Sequence, residues 1–221
     1  DRELEKGMKK YLKELATRVA YFIDWSKYNA EVRTASVVDD MISVVWSKEK
    51  LLIKVILTDA LIHAVVAGGN MTEEDTGIDV GWSEKEPPAI KFLTAYSLKL
   101  AGQLNETTKD SIKSALQLSI SNGETQAQAA ARINDIIDNP RRAATIAHTE
   151  SVRAFSFGRL EVAEQVGADR KQWDATFGAC EICDPMNGEV VGLDESFSSG
   201  DEASPAHPNC RCLIHILMPG E

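Results

Sequence analysis

Every cysteine of the chain lies near its C-terminus, and this clustering constrains the fold more than any other feature of the sequence. The cysteines form two motifs, Cys180-Glu181-Ile182-Cys183 and His207-Pro208-Asn209-Cys210-Arg211-Cys212. Thiolate and imidazole groups at such short spacings are the ligands that tetrahedral Zn²⁺ sites use. The pattern therefore predicts a small metal-bound knot that holds the C-terminal segment together.

Two ligand sets satisfy this pattern. We prefer Cys180, Cys183, His207 and Cys210, because the C-x-x-C spacing of the first motif is repeated as H-x-x-C in the second. Cys212 competes with Cys210, since residues two apart on a strand face the same side, and a four-cysteine site that leaves out His207 is the alternative. Zinc with all four positions filled by protein is structural, whereas catalytic zinc keeps one position for water. We therefore expect structural zinc and assign no catalytic residue.

Composition and charge narrow the class of protein. The chain has a formal net charge of −10 and is 43% hydrophobic, which is ordinary for a globular protein but disfavours wrapping of nucleic acid over the whole surface. No secretion signal is visible, so metal binding is favoured over disulfides and over free thiols. The most apolar run, Leu51 to Ala67, is interrupted by Lys54, Asp59 and His63 and is short for a membrane span. We expect no membrane partner.

Apolar residues at spacings of three and four predict helices in the N-terminal part. Glu3 to Trp25 carries one apolar stripe, and Tyr28 to Lys48 carries a second. A third helix is expected over Lys48 to Ala67, capped by Ser47 and stopped by Gly68-Gly69-Asn70. This third helix is apolar on most sides, so we expect it to be buried in a bundle or to contact a partner.

The polar stretch from Asn70 to Glu86 predicts a linker. It divides the chain into a helical N-terminal region, residues 1–86, and a second domain, residues 87–221. Pro87 and Pro88 suit the first turn of a helix that runs to Leu104, and Asn105 is expected to cap another that ends near Asn122. Two more helices follow, Thr125 to Ile137 and Arg141 to Val166, the latter closed by Gly167.

After Gly167 the sequence pattern changes from helical to extended. Lys171 to Thr176, Glu189 to Leu193 and Cys212 to Leu217 each read as a short strand, and Asn187-Gly188 is a turn signal. Three such strands are too small to be stable alone, so the metal would supply the missing cross-link. The predicted fold class is mainly α with a small β tail (α+β), closed by a short antiparallel sheet and a Cys/His cluster.

The C-terminal half also contains an ordered series of family motifs, from about Asn105 to Pro219. A helix pair comes first, over Thr107 to Leu118 and Thr125 to Ile137, and Gly167 and Lys171-Gln172-Trp173 come later. Residues 142–150 are similar to R-A-x-x-I-A-R-T-E, 180–188 to C-x-x-C-x-x-x-x-G, and 206–212 to P-x-H-P-N-C-R-C. In this order the motifs resemble the Mu F-like head morphogenesis family of phage minor head proteins. His148 departs from the family, which usually has arginine there.

The resemblance implies a virion protein of a phage or prophage head and not an enzyme. Such proteins act in head morphogenesis at the portal vertex, and in some phages in DNA packaging or ejection. The implied partners are the portal protein, capsid or scaffold proteins and phage DNA, with several copies per virion. The implied location is the phage head, and the host cytoplasm during assembly. The N-terminal helices, up to about Ala67, are candidates for the portal-contacting or scaffold-contacting part.

Two other functions remain open from the sequence. One is a metal-dependent hydrolase, which would need an open zinc position. The other, a zinc-stabilised nucleic-acid-binding module, is favoured by Arg141, Arg142 and Arg211, which lie near or within the motifs. The net charge of −10 opposes it, because an acidic surface repels phosphate. A steep salt dependence of DNA binding by residues 105–221 would distinguish such a module from a head protein.

Overall fold

The computed structural model of the chain describes residues 2–28, 41–42, 44 and 46–221. Within these residues the helices come first: α1 (Arg2–Phe22), α2 (Trp46–Thr76), α3 (Pro87–Ser121), α4 (Gln126–Ile137) and α5 (Pro140–Val166). The tail follows with β1 (Arg170–Asp174), a 3₁₀ turn (Asp184–Met186), β2 (Val190–Gly192) and β3 (Leu213–Leu217). The predicted fold class, mainly α with a small β tail, is confirmed.

The described residues form two compact units. The first comprises Asp1–Glu5, Thr58–Ala95 and Thr145–Glu221, and the second comprises Lys6–Leu57 and Tyr96–Ala144. The β tail and both cysteine motifs belong to the first unit. The boundary near residue 86 between an N-terminal region and a second domain stays a prediction.

Helix α1 confirms the first apolar stripe. Met8, Leu12, Leu15 and Val19 lie on one helical face and are buried in the second unit. On the polar side of this stripe, Arg18 donates from Nε and Nη2 to the buried carboxylate of Glu49, each bond being 2.7 Å long. The helix predicted over Tyr28 to Lys48 lies mostly outside the described residues, and its last three residues belong to α2.

Helix α2 corrects the prediction that Gly68-Gly69-Asn70 ends the third helix and begins a linker. The helix continues through both glycines to Thr76, and Ser47 lies inside it. The reason is close packing against α5: a Cβ on Gly68 would lie 1.9 Å from the Phe155 carbonyl oxygen, and one on Gly158 would lie 2.0 Å from the Val65 carbonyl oxygen. Glycine here lets two backbones approach.

Helix α2 is buried on one face only. Ile53, Leu57, Leu61 and Val65 are buried, whereas Leu51, Leu52 and Val55 are 59%, 49% and 59% exposed. By length and composition α2 is also the one helix of the described residues that would reach across a membrane, a test that core helices of soluble proteins pass too. Only 28% of its most apolar window is buried.

Helix α3 begins at Pro87, as predicted, but it runs unbroken to Ser121. Asn105 is therefore not a cap, and the prediction of two helices with a break at this residue is wrong. The Asn105 side chain is buried and donates from Nδ2 to the Trp46 carbonyl oxygen at 2.9 Å. Thr108 Oγ1 donates to the Leu104 carbonyl at 2.6 Å, so this polar stretch bonds inside the helix instead of ending it.

The last two helices match their predicted limits. Thr125 caps α4 in a capping box with Gln128, in which each side chain accepts a bond from the other residue's backbone N–H. Gly167 follows α5 with a φ of +77°, the left-handed conformation that glycine adopts readily at a helix end.

The three predicted strands form one antiparallel sheet in the order β2-β1-β3. Trp173 on β1 pairs with Ile214, and Lys171 pairs with Ile216, so these side chains share the face of the sheet that is buried. The same apolar core contains Phe197, Met186, Ala163 of α5, and three of the four cysteines. The sheet therefore packs directly over the cysteine motifs.

Candidate metal centre

The first motif forms a tight turn after β1. The backbone N–H groups of Cys183 and Asp184 donate to the Cys180 carbonyl at 3.0 and 2.9 Å. The N–H groups of Cys183 and Ile182 also bond to the Cys180 sulfur and lower the pKa of this exposed thiol to about 7, because they stabilise the thiolate. This shift favours the Cys180 thiolate, which is the form that binds metal.

The second motif forms a matching turn before β3. The Cys210 N–H donates to the His207 carbonyl at 3.1 Å, the same four-residue closure as in the first turn. His207 Nδ1 lies 2.9 Å from the Pro208 carbonyl oxygen, and because a carbonyl only accepts, Nδ1 carries the proton. Nε2 is then left with a free lone pair, as in metal-bound histidines whose other nitrogen bonds to a carbonyl.

The two turns bring their side chains together. His207 Nε2 lies 3.1 Å from Cys180 Sγ and 3.3 Å from Cys183 Sγ, and Cys183 Sγ lies 3.7 Å from Cys210 Sγ. Cys183 belongs to two groups of donors able to hold an ion, one with Cys180 and His207 and the other with Cys210 and Cys212. The five predicted ligand residues are thus placed in two neighbouring groups of three that share Cys183.

These three separations are close to those in a tetrahedral zinc site, but neither four-ligand set lies within a single group of neighbouring donors. With Zn–S bonds of about 2.3 Å and Zn–N bonds of about 2.0 Å, ligand atoms lie about 3.5–3.8 Å apart. The distance between the Cys183 and Cys210 sulfurs falls in this range, and the two distances to His207 Nε2 are a few tenths of an ångström shorter. The donor set is the soft sulfur and imidazole set that Zn²⁺ prefers, so the residues present fit this ion.

Buried cysteines in this cluster can be ionised only if a positive charge lies beside them. Burial raises the pKa of Cys183 and of Cys212, and neighbouring cysteines raise that of Cys183 further. The N–H of Thr176 acts in the opposite direction on Cys212. Several thiolates can coexist in such a place only when a cation neutralises them. A bound divalent metal would provide this charge and would release the thiol protons.

Acidic side chains take no part in the cluster. Asp184, Glu189 and Asp194 lie close to the motifs in sequence, but within the described part of the chain both groups consist of cysteine and histidine only. Trp173 is fully buried in the apolar core that contains Cys183, Cys210 and Cys212.

Sequence reasoning missed two threonines that hold the second turn. Asn209 has a φ of +61°, and its N–H donates to Thr149 Oγ1 at 3.0 Å while its Nδ2 donates to Thr145 Oγ1 at 3.1 Å. Both threonines are on α5, where their spacing of four residues was a visible signal of a shared face. His148, treated in the sequence as a departure from an arginine position, lies 2.9 Å through Nε2 from the Cys210 carbonyl oxygen.

A comparison with known protein families finds a match over the region that contains these donor residues. The family model described as "Phage Mu protein F like protein" matches residues 110–215, a range that includes both cysteine motifs, β1 and α5. No curated protein and no solved structure matches the chain. Residues 110–215, in the C-terminal half of the chain, are therefore similar to the phage Mu F-like family.

Proposed function

We propose that the chain is a minor head protein of a phage or prophage and acts in head morphogenesis at the portal vertex. The match to the phage Mu F-like family carries this proposal, because the matched residues 110–215 include the whole candidate metal centre. The proposed partners are the portal protein and, beside it, capsid or scaffold proteins, with several copies per virion. The protein would act in the host cytoplasm during assembly and remain in the phage head.

The role proposed for the C-terminal half is structural. Four protein ligands would fill every position of a zinc ion, which leaves none for a catalytic water. Our preferred ligands are Cys180, Cys183, His207 and Cys210, since their donor atoms are joined by the short distances between the two matched turns. Cys212, which lies within the second group of donors, is the alternative to His207 in a four-cysteine site.

The N-terminal helices are proposed to contact the portal or scaffold. The support is the exposed apolar face of α2, made by Leu51, Leu52 and Val55, which water solvates poorly. A contact of this kind would belong to the second unit, separate from the metal centre in the first.

A contact with phage DNA would use few cationic side chains. Arg132 pairs with Glu124, Arg159 pairs with Asp75, and Arg142 donates to Thr108 Oγ1. Arg141 and Arg211 are exposed and are the cations near the motifs that phosphate would reach. A shallow dependence of DNA affinity on salt is therefore expected, and the DNA-binding module is not our leading function.

The experiment that tests the head function follows the full-length chain through assembly. The chain is co-produced with the head proteins of its phage or prophage, and the particles are separated by sedimentation. We expect it to co-sediment with portal rings and procapsids and to remain in mature heads. A chain that stays at the top of the gradient while heads form normally would contradict the proposal.

A further inference from the structure

Helix α5 contacts the second cysteine turn through one short polar face. Thr145, His148 and Thr149 are three and four residues apart, so they lie on the same side of the helix. Each of the three bonds to the turn that runs from His207 to Cys210. None of them belongs to the cluster of donor atoms itself.

The three contacts fix different parts of the turn. Thr149 Oγ1 accepts from the Asn209 N–H at 3.0 Å, and Thr145 Oγ1 accepts from Asn209 Nδ2 at 3.1 Å. The His148 ring donates from Nε2 to the Cys210 carbonyl at 2.9 Å. The Asn209 N–H and side chain and the Cys210 carbonyl are therefore all bonded to one helix.

The turn has little support from regular secondary structure. Asn209 has a φ of +61°, a left-handed conformation that asparagine adopts more readily than most other non-glycine residues. The chain between β2 and β3 contains no helix or strand, so a regular backbone ladder does not hold the turn. Yet the turn carries two donor side chains, and a tetrahedral site requires them within narrow distances.

We propose that Thr145, His148 and Thr149 are positioning residues of the metal site: they hold the His207–Cys210 turn in the geometry that binds the ion. This inference rests on the proposed metal centre. Helix α5 would then provide the hydrogen bonds that hold the metal ligands in place. In other metal sites, loss of such bonds lowers the metal affinity about 10–100-fold.

The test compares matched threonine variants of the full-length chain. Thr149→Val keeps the side-chain shape and removes the acceptor for Asn209, whereas Thr149→Ser keeps the hydroxyl. Thr17→Val is the control, because Thr17 Oγ1 donates to the carbonyl four residues earlier, as Thr149 does, but is on α1 in the second unit. Zinc affinity is measured by competition with a chromogenic chelator, and helical content by circular dichroism.

We expect Thr149→Val to bind zinc about 10–100-fold more weakly, and Thr149→Ser and Thr17→Val to bind as the wild type does. If Thr149→Val does not fold, Asn209→Gly decides, because glycine accepts the positive φ and only the bond to Thr145 is lost. That variant should also bind more weakly. Wild-type affinity in a folded Thr149→Val, or in Asn209→Gly where Thr149→Val does not fold, would overturn the positioning role.

A wild-type chain that binds no zinc would overturn the metal centre together with this inference. Neither result bears on the head function, since incorporation into heads is measured separately.

Discussion

Gly68 and Gly158 occupy helix interiors, where glycine is about 0.5–1 kcal/mol less favourable than alanine. These two glycines are needed because they have no Cβ atom. The atom nearest to a Cβ at either position would be a backbone carbonyl oxygen of the facing helix, at 1.9 or 2.0 Å. A backbone cannot rotate away as a side chain can, so this part of the first unit accepts no larger residue.

Alanine at Gly68 should therefore destabilise the protein. We expect Gly68→Ala to lower the free energy of unfolding by about 1–3 kcal/mol, the range found for overpacked cores. Gly102→Ala is the matched control, because a Cβ there would meet only the flexible end of Lys50, at 3.3 Å. It should be neutral or stabilising by up to about 1 kcal/mol. Urea denaturation of both variants measures the difference, and equal effects would contradict the packing argument.

These glycines also show why the sequence misled us about α2. Gly68-Gly69-Asn70 has the composition of a helix stop, and Gly167 has the same local signal. At Gly167 the φ is +77° and the helix ends; at Gly68 the helix continues because Phe155 lies opposite. That neighbour is distant in sequence, so no local pattern could reveal it.

At the scale of the elements, Glu124 organises the connection between α3 and α4. Its carboxylate accepts from Ser119 Oγ at 2.8 Å and from the Arg132 guanidinium, and its carbonyl accepts from the Tyr28 hydroxyl at 3.0 Å. Bonding to Arg132 and then to Ser119 lowers the pKa of Glu124 from 4.5 to about 2. The charged form is thus favoured by folding.

This shift predicts a pH-dependent contribution to stability. Because the pKa is lower in the folded protein, the contribution is present above pH 4.5 and is lost as the pH falls towards 2. Glu124→Gln should unfold more easily than the wild type at pH 7, and the difference should shrink at pH 3. Urea denaturation at both pH values measures it. A difference that stays constant with pH would show that the charge of Glu124 does not contribute.

We expect the stability of the three-stranded sheet to depend on bound metal. Its strands have five, three and five residues, so its stability depends on what packs against its buried face. We expect removal of zinc by a chelator, or Cys183→Ser, to abolish hydrogen-exchange protection in residues 170–217 and to leave α1 and α3 protected. Ser199→Ala, an exposed change in the same tail, should have no effect. Unchanged protection of the sheet in the metal-free protein would contradict a structural role of the metal.

At the scale of the whole molecule, local patterns predicted the tail better than the helices. Cys180, Cys183, His207 and Cys210 meet because each pair lies on one tight turn, and a turn is encoded by adjacent residues. The unbroken length of α3 depends instead on Asn105 bonding to Trp46, a residue 59 positions away in the chain. The threonines of α5 were missed for the same reason, since their partner Asn209 follows much later.

The exposed face of α2 gives the prediction for the assembled head. We expect the variant Leu51→Gln, Leu52→Gln, Val55→Thr to fold with little change in stability, because surface substitutions usually alter it by about 0.5 kcal/mol or less each. Its co-sedimentation with portal rings should fall strongly, since burying this apolar face would drive the contact. The measurement is the fraction of chain recovered with portal rings and with heads.

The matched control for this variant is Ile90→Gln on α3. Ile90 is 51% exposed, so the change also removes surface apolar area, but from the first unit. Co-sedimentation should remain at the wild-type level. Equal recovery of the α2 variant and the wild type would exclude Leu51, Leu52 and Val55 as the contact, and equal loss in both variants would mean that general surface hydrophobicity, and not this face, binds the particle.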